Sequence, residues 1–209
     1  MLVTWVIIVG IALGIGTKLA DNQENALTWL GSLTAPWIIV SFGFGAVSVN
    51  WIRSALSAAG AMLTGILAYY SWMWLFEGGV NLSYFLSVTV LWVAAAPVVG
   101  IVFGLCGWMW RHGDRHWLMG SVAVALAGGI IAGESAFMAF SSATLSSAEV
   151  TILCIWITVG LMMPLVLLSQ RRDRLAGLGL TLCWLMIGLA TVPLFLGFFA
   201  ATETAGGLR

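Results

Sequence analysis

The chain predicts an all-α fold, a polytopic transmembrane helix bundle of about seven helices, with six as the alternative count. Three observations lead there. Of its 209 residues, 61% are hydrophobic and only 8% are charged, whereas a soluble domain carries roughly 25% charged residues, so a water-facing surface cannot be built from it. Several uncharged runs exceed the roughly 18 residues that mark a bilayer-spanning helix. Basic residues also collect in alternate turns between those runs, which is how multi-pass proteins fix their orientation.

Charges and turn residues place apolar segments at 1 to 18, 35 to 50, 55 to 76, 84 to 110, 117 to 140, 149 to 169 and 175 to 200. The first, "MLVTWVIIVGIALGIGTK", lacks a basic leading region and an A-x-A cleavage site, so it reads as a helix rather than a removable signal. The second is the shortest and pairs with the third as a hairpin around "WIRS". The third ends in "AYYSWMWLFE": Trp72 and Trp74 suit an aromatic belt at the headgroups, while Tyr69 and Tyr70 lie deeper. Adjacent helical positions point about 100° apart, so at most one of these tyrosines faces lipid. Pro97, Pro164 and Pro193 fall inside the fourth, sixth and seventh segments, where each removes a backbone donor. Gly10/Gly14, Gly100/Gly104 and Gly129/Gly133 form G-x-x-x-G pairs, read as packing faces. The loops are too short for a second domain, so residues 1–209 form one transmembrane domain.

Arg53, then Arg111 and Arg115, then Arg171, Arg172 and Arg174 occupy alternate turns, and the intervening stretches 19 to 34, 77 to 83 and 141 to 148 contain no Lys or Arg. The N-terminus is therefore expected inside and the C-terminus outside, with Lys18 near the outer face.

Eight basic and eight acidic residues cancel and no basic block exists, so neither nucleic-acid binding nor a polybasic membrane patch has support. Cys106, Cys154 and Cys183 are dispersed and unpaired in spacing, which reads as buried small hydrophobes rather than a disulfide or metal framework. The only histidines, His112 and His116, belong to the turn "RHGDRH", a membrane-interface anchor rather than a metal site or haem ligand set. "NLS" at Asn81 matches a glycosylation acceptor in a loop too short to serve as one. No nucleophile elbow, zinc-protease motif or phosphate loop is present, so catalysis, cofactor and metal have no positive signal.

Glu134, in "GGIIAGESAFMAF", is the residue this composition least explains. It falls about five residues past the midpoint of its segment, roughly 8 Å toward the outer face. A charge near the bilayer centre costs about 2.5–3.5 kcal/mol on insertion scales, so such a residue faces protein and a partner. The only lysine, Lys18, precedes "LADN". Lys18, Asp21 and Glu134 are expected to meet as a charged triad, with Tyr69 and Tyr70 lining the space beside it and one phenol available to Glu134; the alternative is that Lys18 reaches out to the headgroups and Glu134 sits protonated against Ser135 or a backbone carbonyl. Asn22 and Glu77 belong to the same outer half.

"TKLADN", "APWIIVSFGFGA", "SALSAAGAMLTGILAYY", "APVVGIVFGLCG" and the "GES" of the fifth segment together resemble an uncharacterised family of small bacterial integral membrane proteins, found mostly in actinobacteria and their relatives. The likeness spans about residues 14 to 140 and includes Lys18, Asp21, Pro36, Trp37, Tyr69, Tyr70 and Glu134. It implies a multi-pass protein of the plasma (inner) membrane and brings no activity or ligand with it. The length and Gly/Ala-rich helices are also similar to vitamin-transporter membrane subunits, which usually have six helices.

These readings give an expected function: a small transporter or solute-binding membrane subunit whose site is Lys18, Asp21, Tyr69, Tyr70 and Glu134, taking a small polar, cationic or zwitterionic solute. The alternative is a non-catalytic accessory or scaffold subunit that docks a membrane-complex partner, or a second copy, through its glycine faces.

Overall fold

The computed structural model describes residues 2–23, 25–77, 82–113, 117–142 and 144–205. Among them are eight helices: α1 (Leu2–Asp21), α2 (Thr28–Ser32), α3 (Ala35–Val47), α4 (Trp51–Phe76), α5 (Leu82–His112), α6 (Trp117–Ser141), α7 (Ser147–Leu167) and α8 (Arg171–Ala205). No strand occurs among the described residues. Five of them, α1, α4, α5, α6 and α7, are long and apolar enough to cross a membrane. Seven helices thus correspond to the seven apolar segments, and α2 is an addition, formed inside what the sequence reads as a loop.

Helix ends differ from the apolar runs for a physical reason. The third helix begins at Trp51 rather than 55, and the last spans Arg171–Ala205 rather than 175 to 200. Polar residues at a membrane helix end continue the helix into the headgroup layer, so the hydropathy boundary lies inside the hydrogen-bonded one. Asn50 starts α4 as a side-chain cap, its Oδ1 accepting from the Arg53 N–H at 2.8 Å.

Glycine sets which helices touch. A Cβ at Gly14 would run into the Gly65 carbonyl and one at Gly10 into Ala61 and Thr64, so α1 lies against α4 backbone to backbone, running parallel to it. Gly45 and Gly107 give α3 and α5 the same intimacy: each would collide, if given a side chain, with the other helix's carbonyl. Gly104 accepts the Ser54 hydroxyl at 2.7 Å, which ties α5 to α4. Gly128 meets Gly160 between α6 and α7, and Gly129 sits under Trp184 of α8. α6 runs parallel to α8, so the first-with-third pairing of α1 and α4 recurs in the second half of the chain.

α6 is the most buried of the spans, with Val124, Ala127 and Ile131 fully enclosed among Ile38, Phe103 and Leu153. The outside of the bundle is apolar, with Val3, Phe140 and Val166 more than 70% exposed, a surface suited to acyl chains. Cys106 is buried, but Cys154 and Cys183 lie on that outer surface. The expectation that all three are buried fails because, in lipid, a small apolar side chain gains nothing by turning inward.

α3 is the exception among the seven. Its 13 residues reach only about 20 Å at 1.5 Å per residue, against a hydrocarbon core of about 30 Å. Pro36, in its first turn, is pre-set for a helix start. Because α3 runs antiparallel to α4, pairing Trp37 with Gly65 and Ser48 with Ser57, its C-terminal end lies at the turn carrying Arg53. Its N-terminal end stops at the depth of Glu134, about 10 Å short of the end of α6.

Candidate functional site

The space that α3 leaves open is filled from above by α2. Gly31 allows this, since a side chain there would strike the Thr17 carbonyl and Asp21, so α2 rests directly on the last turn of α1. Leu33 and Thr34 connect α2 to α3, with Leu33 in extended geometry (φ −81°, ψ 148°), making a break in the chain's second crossing.

Carboxylates from three helices hold this break. Glu134 of α6 accepts from the Thr34 backbone N–H at 2.8 Å and from its hydroxyl at 2.6 Å, at the positive end of the α3 dipole. Asp21 of α1 accepts from the Ser32 hydroxyl at 2.9 Å. Glu149 of α7 accepts from the Trp29 indole N–H at 3.0 Å while closing a capping box with Ser146. The α2 segment is therefore pinned on three sides by acids contributed from separate parts of the chain.

Below it is a cavity of about 210 Å³, lined by Ser32, Leu33 and Thr34 of the break, Trp37 of α3, Met62, Ile66, Tyr69 and Tyr70 of α4, and Trp92 and Ala96 of α5. Its walls are mainly apolar and aromatic, with the hydroxyls of Ser32, Thr34 and the tyrosines as the polar groups, the composition of a small-molecule site. Tyr69 and Tyr70 stand edge to face, ring centres 5.2 Å apart. Both line the cavity, and Tyr70 is buried.

Beside the cavity the charges form a network. The Lys18 ammonium lies 3.0 Å from Glu77 Oε2 and 3.8 Å from Asp21 Oδ2, and 5.2 Å above the Tyr69 ring. The Tyr69 hydroxyl donates to Asp21 Oδ2 at 2.7 Å, and the Asn22 amide donates to Glu77 Oε1 at 2.6 Å. Lys18 is only 6% exposed, so its charge depends on these partners rather than on water.

Lys18, Asp21, Tyr69 and Tyr70 therefore come together. Glu134 does not join the triad expected of it: among the described residues the carboxylates within 4 Å of Lys18 are Asp21 and Glu77, and the phenol of Tyr69 serves Asp21. The parallel packing of α1 on α4 is the cause, because it sets Lys18 beside Tyr69, from where its side chain reaches Glu77 at the end of α4. Glu134 lies deeper, behind the α2–α3 connection, and touches the cavity only through Thr34. Sequence reasoning passed over Ser32, Thr34, Trp92 and the partnership of Glu77; the shortness of the second segment was the available signal for the break. Asn81 and residues 114–116 lie outside the described residues, and no group of three or more metal-ligating side chains occurs among the described ones.

A family model for a family of unknown function (DUF6518) matches residues 1–198. This chain belongs to that family. No curated protein and no solved structure matches it, so the family supplies membership without an activity, and the site must be read from its own geometry.

Proposed function

We propose that this member of the family is a small transporter, or the solute-binding membrane subunit of one, whose site is the aromatic cavity beneath α2. The observation that carries the reading is the short α3: a broken crossing whose end is held inside the bilayer by side chains is the construction with which transporters place a site near mid-membrane. The cavity suits a small solute, being below the roughly 300–1,000 Å³ of drug-sized pockets. Aromatic faces beside a cluster with two carboxylates and one ammonium favour a cationic or zwitterionic molecule.

In this reading α2 is the outer gate, and the N-terminus lies inside the plasma membrane with the arginine-rich turns. Asp21, Glu134 and Glu149 hold the gate shut, and each bond exchanges for one to water when α2 lifts. The alternative of a docking subunit is weakened by the packing, since Gly10, Gly14, Gly100 and Gly104 are spent against neighbouring helices of the same chain.

Ala96 is 2% exposed and lines the cavity, so Ala96→Leu fills it without touching the charged network. Purified protein is screened by thermal shift against small amines, amino acids and betaines, and hits are assayed for uptake into proteoliposomes. Stabilisation and uptake by the wild type that are lost in Ala96→Leu support the proposal. Compounds that act equally on both forms, or on neither, remove it.

A further inference from the structure

A second cavity, of about 260 Å³, lies at the opposite end of the bundle, between the end of α5, the start of α6 and the α7–α8 connection. It is built by two hydrogen bonds that fold the end of α7 over its neighbours: the Trp110 indole donates to the Leu167 carbonyl at 2.9 Å, and Arg174 Nε donates to the Leu168 carbonyl at 2.6 Å. Its polar lining comes from Arg111, Ser169, Gln170 and Asp173. Because α5, α6 and α7 are spans that begin or end here, the cavity lies at headgroup depth.

Two observations point to a ligand. The Asp173 side chain is buried, 11% exposed, and its Oδ1 has no hydrogen-bond partner; its one ion pair among the described residues is with Arg172, whose Nε stands 3.7 Å away on a side chain that is 66% exposed. A buried acceptor without a donor is costly unless something else supplies the hydrogen. Arg111 lines the same cavity and, among the described residues, is in no ion pair. An acid and a base thus share one small chamber without meeting.

We infer that this chamber binds a zwitterion that bridges them, a primary ammonium donating to Asp173 and a phosphate accepting from Arg111 and Ser169, the chemistry of phosphoethanolamine. The positive end of the α8 dipole favours the phosphate further. A primary ammonium is required because a quaternary one has no N–H to give Asp173. The source is either the headgroup of phosphatidylethanolamine or the free molecule, and the inference is independent of the cavity under α2.

The test places full-length protein in nanodiscs containing equal phosphatidylethanolamine and phosphatidylcholine of identical acyl chains. Lipid retained on gentle extraction is counted by native mass spectrometry. The wild type is expected to prefer phosphatidylethanolamine about tenfold, the worth of one charge-assisted hydrogen bond. Asp173→Asn loses that preference, Arg111→Gln lowers the total lipid retained because both headgroups carry the phosphate, and Arg53→Gln, in a different turn, leaves both readouts intact. If Asp173→Asn fails to fold, the wild-type preference together with the loss of total retention in Arg111→Gln decides. Thermal stabilisation by millimolar phosphoethanolamine, reversed by either variant, identifies the free molecule as the source. Equal retention of both lipids by the wild type with no stabilisation by phosphoethanolamine overturns the inference, as does a preference unchanged in Asp173→Asn or a total retention unchanged in Arg111→Gln.

Discussion

The Glu134 carboxylate on α6 accepts two hydrogen bonds from Thr34, a residue one hundred positions earlier that begins α3. A buried acid in a greasy helix is thereby explained as an end-piece for another helix, one too short to reach the membrane surface and its water. Its removal leaves the Thr34 N–H and hydroxyl without acceptors. Glu134→Leu is expected to destabilise the protein by roughly 1–3 kcal/mol, the cost of stranded buried donors, while Glu134→Gln retains an acceptor and most of the stability. Thermal unfolding in detergent of the two variants beside the wild type measures the difference, and equal losses would argue against the capping role.

Lys18 and Glu77 supply a second comparison. With Lys18→Met the acids Asp21 and Glu77 face each other uncompensated; adding Glu77→Gln relieves part of that. The double variant is expected to be more stable than the lysine variant alone, with a coupling of roughly 1–2 kcal/mol, between exposed and buried ion pairs, because Glu77 keeps some contact with solvent. A double-mutant cycle on unfolding free energies gives the number.

Gly14 and Gly16 sit two residues apart on α1 with opposite demands. A methyl at Gly14 meets the Gly65 carbonyl and one at Gly16 meets nothing. Gly14→Ala is therefore expected to lower the melting temperature sharply or to prevent accumulation of folded protein, and Gly16→Ala to be close to neutral. Size-exclusion profiles and melting curves of the pair test the α1–α4 contact.

If α2 gates the cavity, fixing it stops traffic. Ser32→Cys with Asp21→Cys replaces a 2.9 Å hydrogen bond with a pair that oxidant can cross-link. Solute uptake in that variant is expected to fall on oxidation and return with reductant, while each single cysteine is unaffected by either treatment.

The helix bundle was legible because uncharged runs longer than a membrane is thick have few alternatives, and the alternating arginines divided them at the right turns. α2 was not, since "TWLGS" is too short to show a helical period and owes its shape to Gly31 fitting against α1. For the site, Lys18, Asp21, Tyr69 and Tyr70 could be assembled from depth alone. Glu134 could not be placed, because depth says how far along a helix a residue lies and nothing about which neighbour it faces. That choice was made by glycines at the α1–α4 contact, whose consequence is geometric rather than local in the sequence. A second crossing too short for the bilayer was the clue that carried furthest, since it obliges some other part of the chain to satisfy the stranded end.

The order of synthesis gives that obligation a timetable. When α3 leaves the ribosome, neither Glu134 nor Glu149 exists yet, so its upper end waits for two later helices before it has a resting place. Chains halted after α5 hold a short crossing whose upper end has no acceptor; the arrival of α6 closes that end and the arrival of α7 fixes α2 above it.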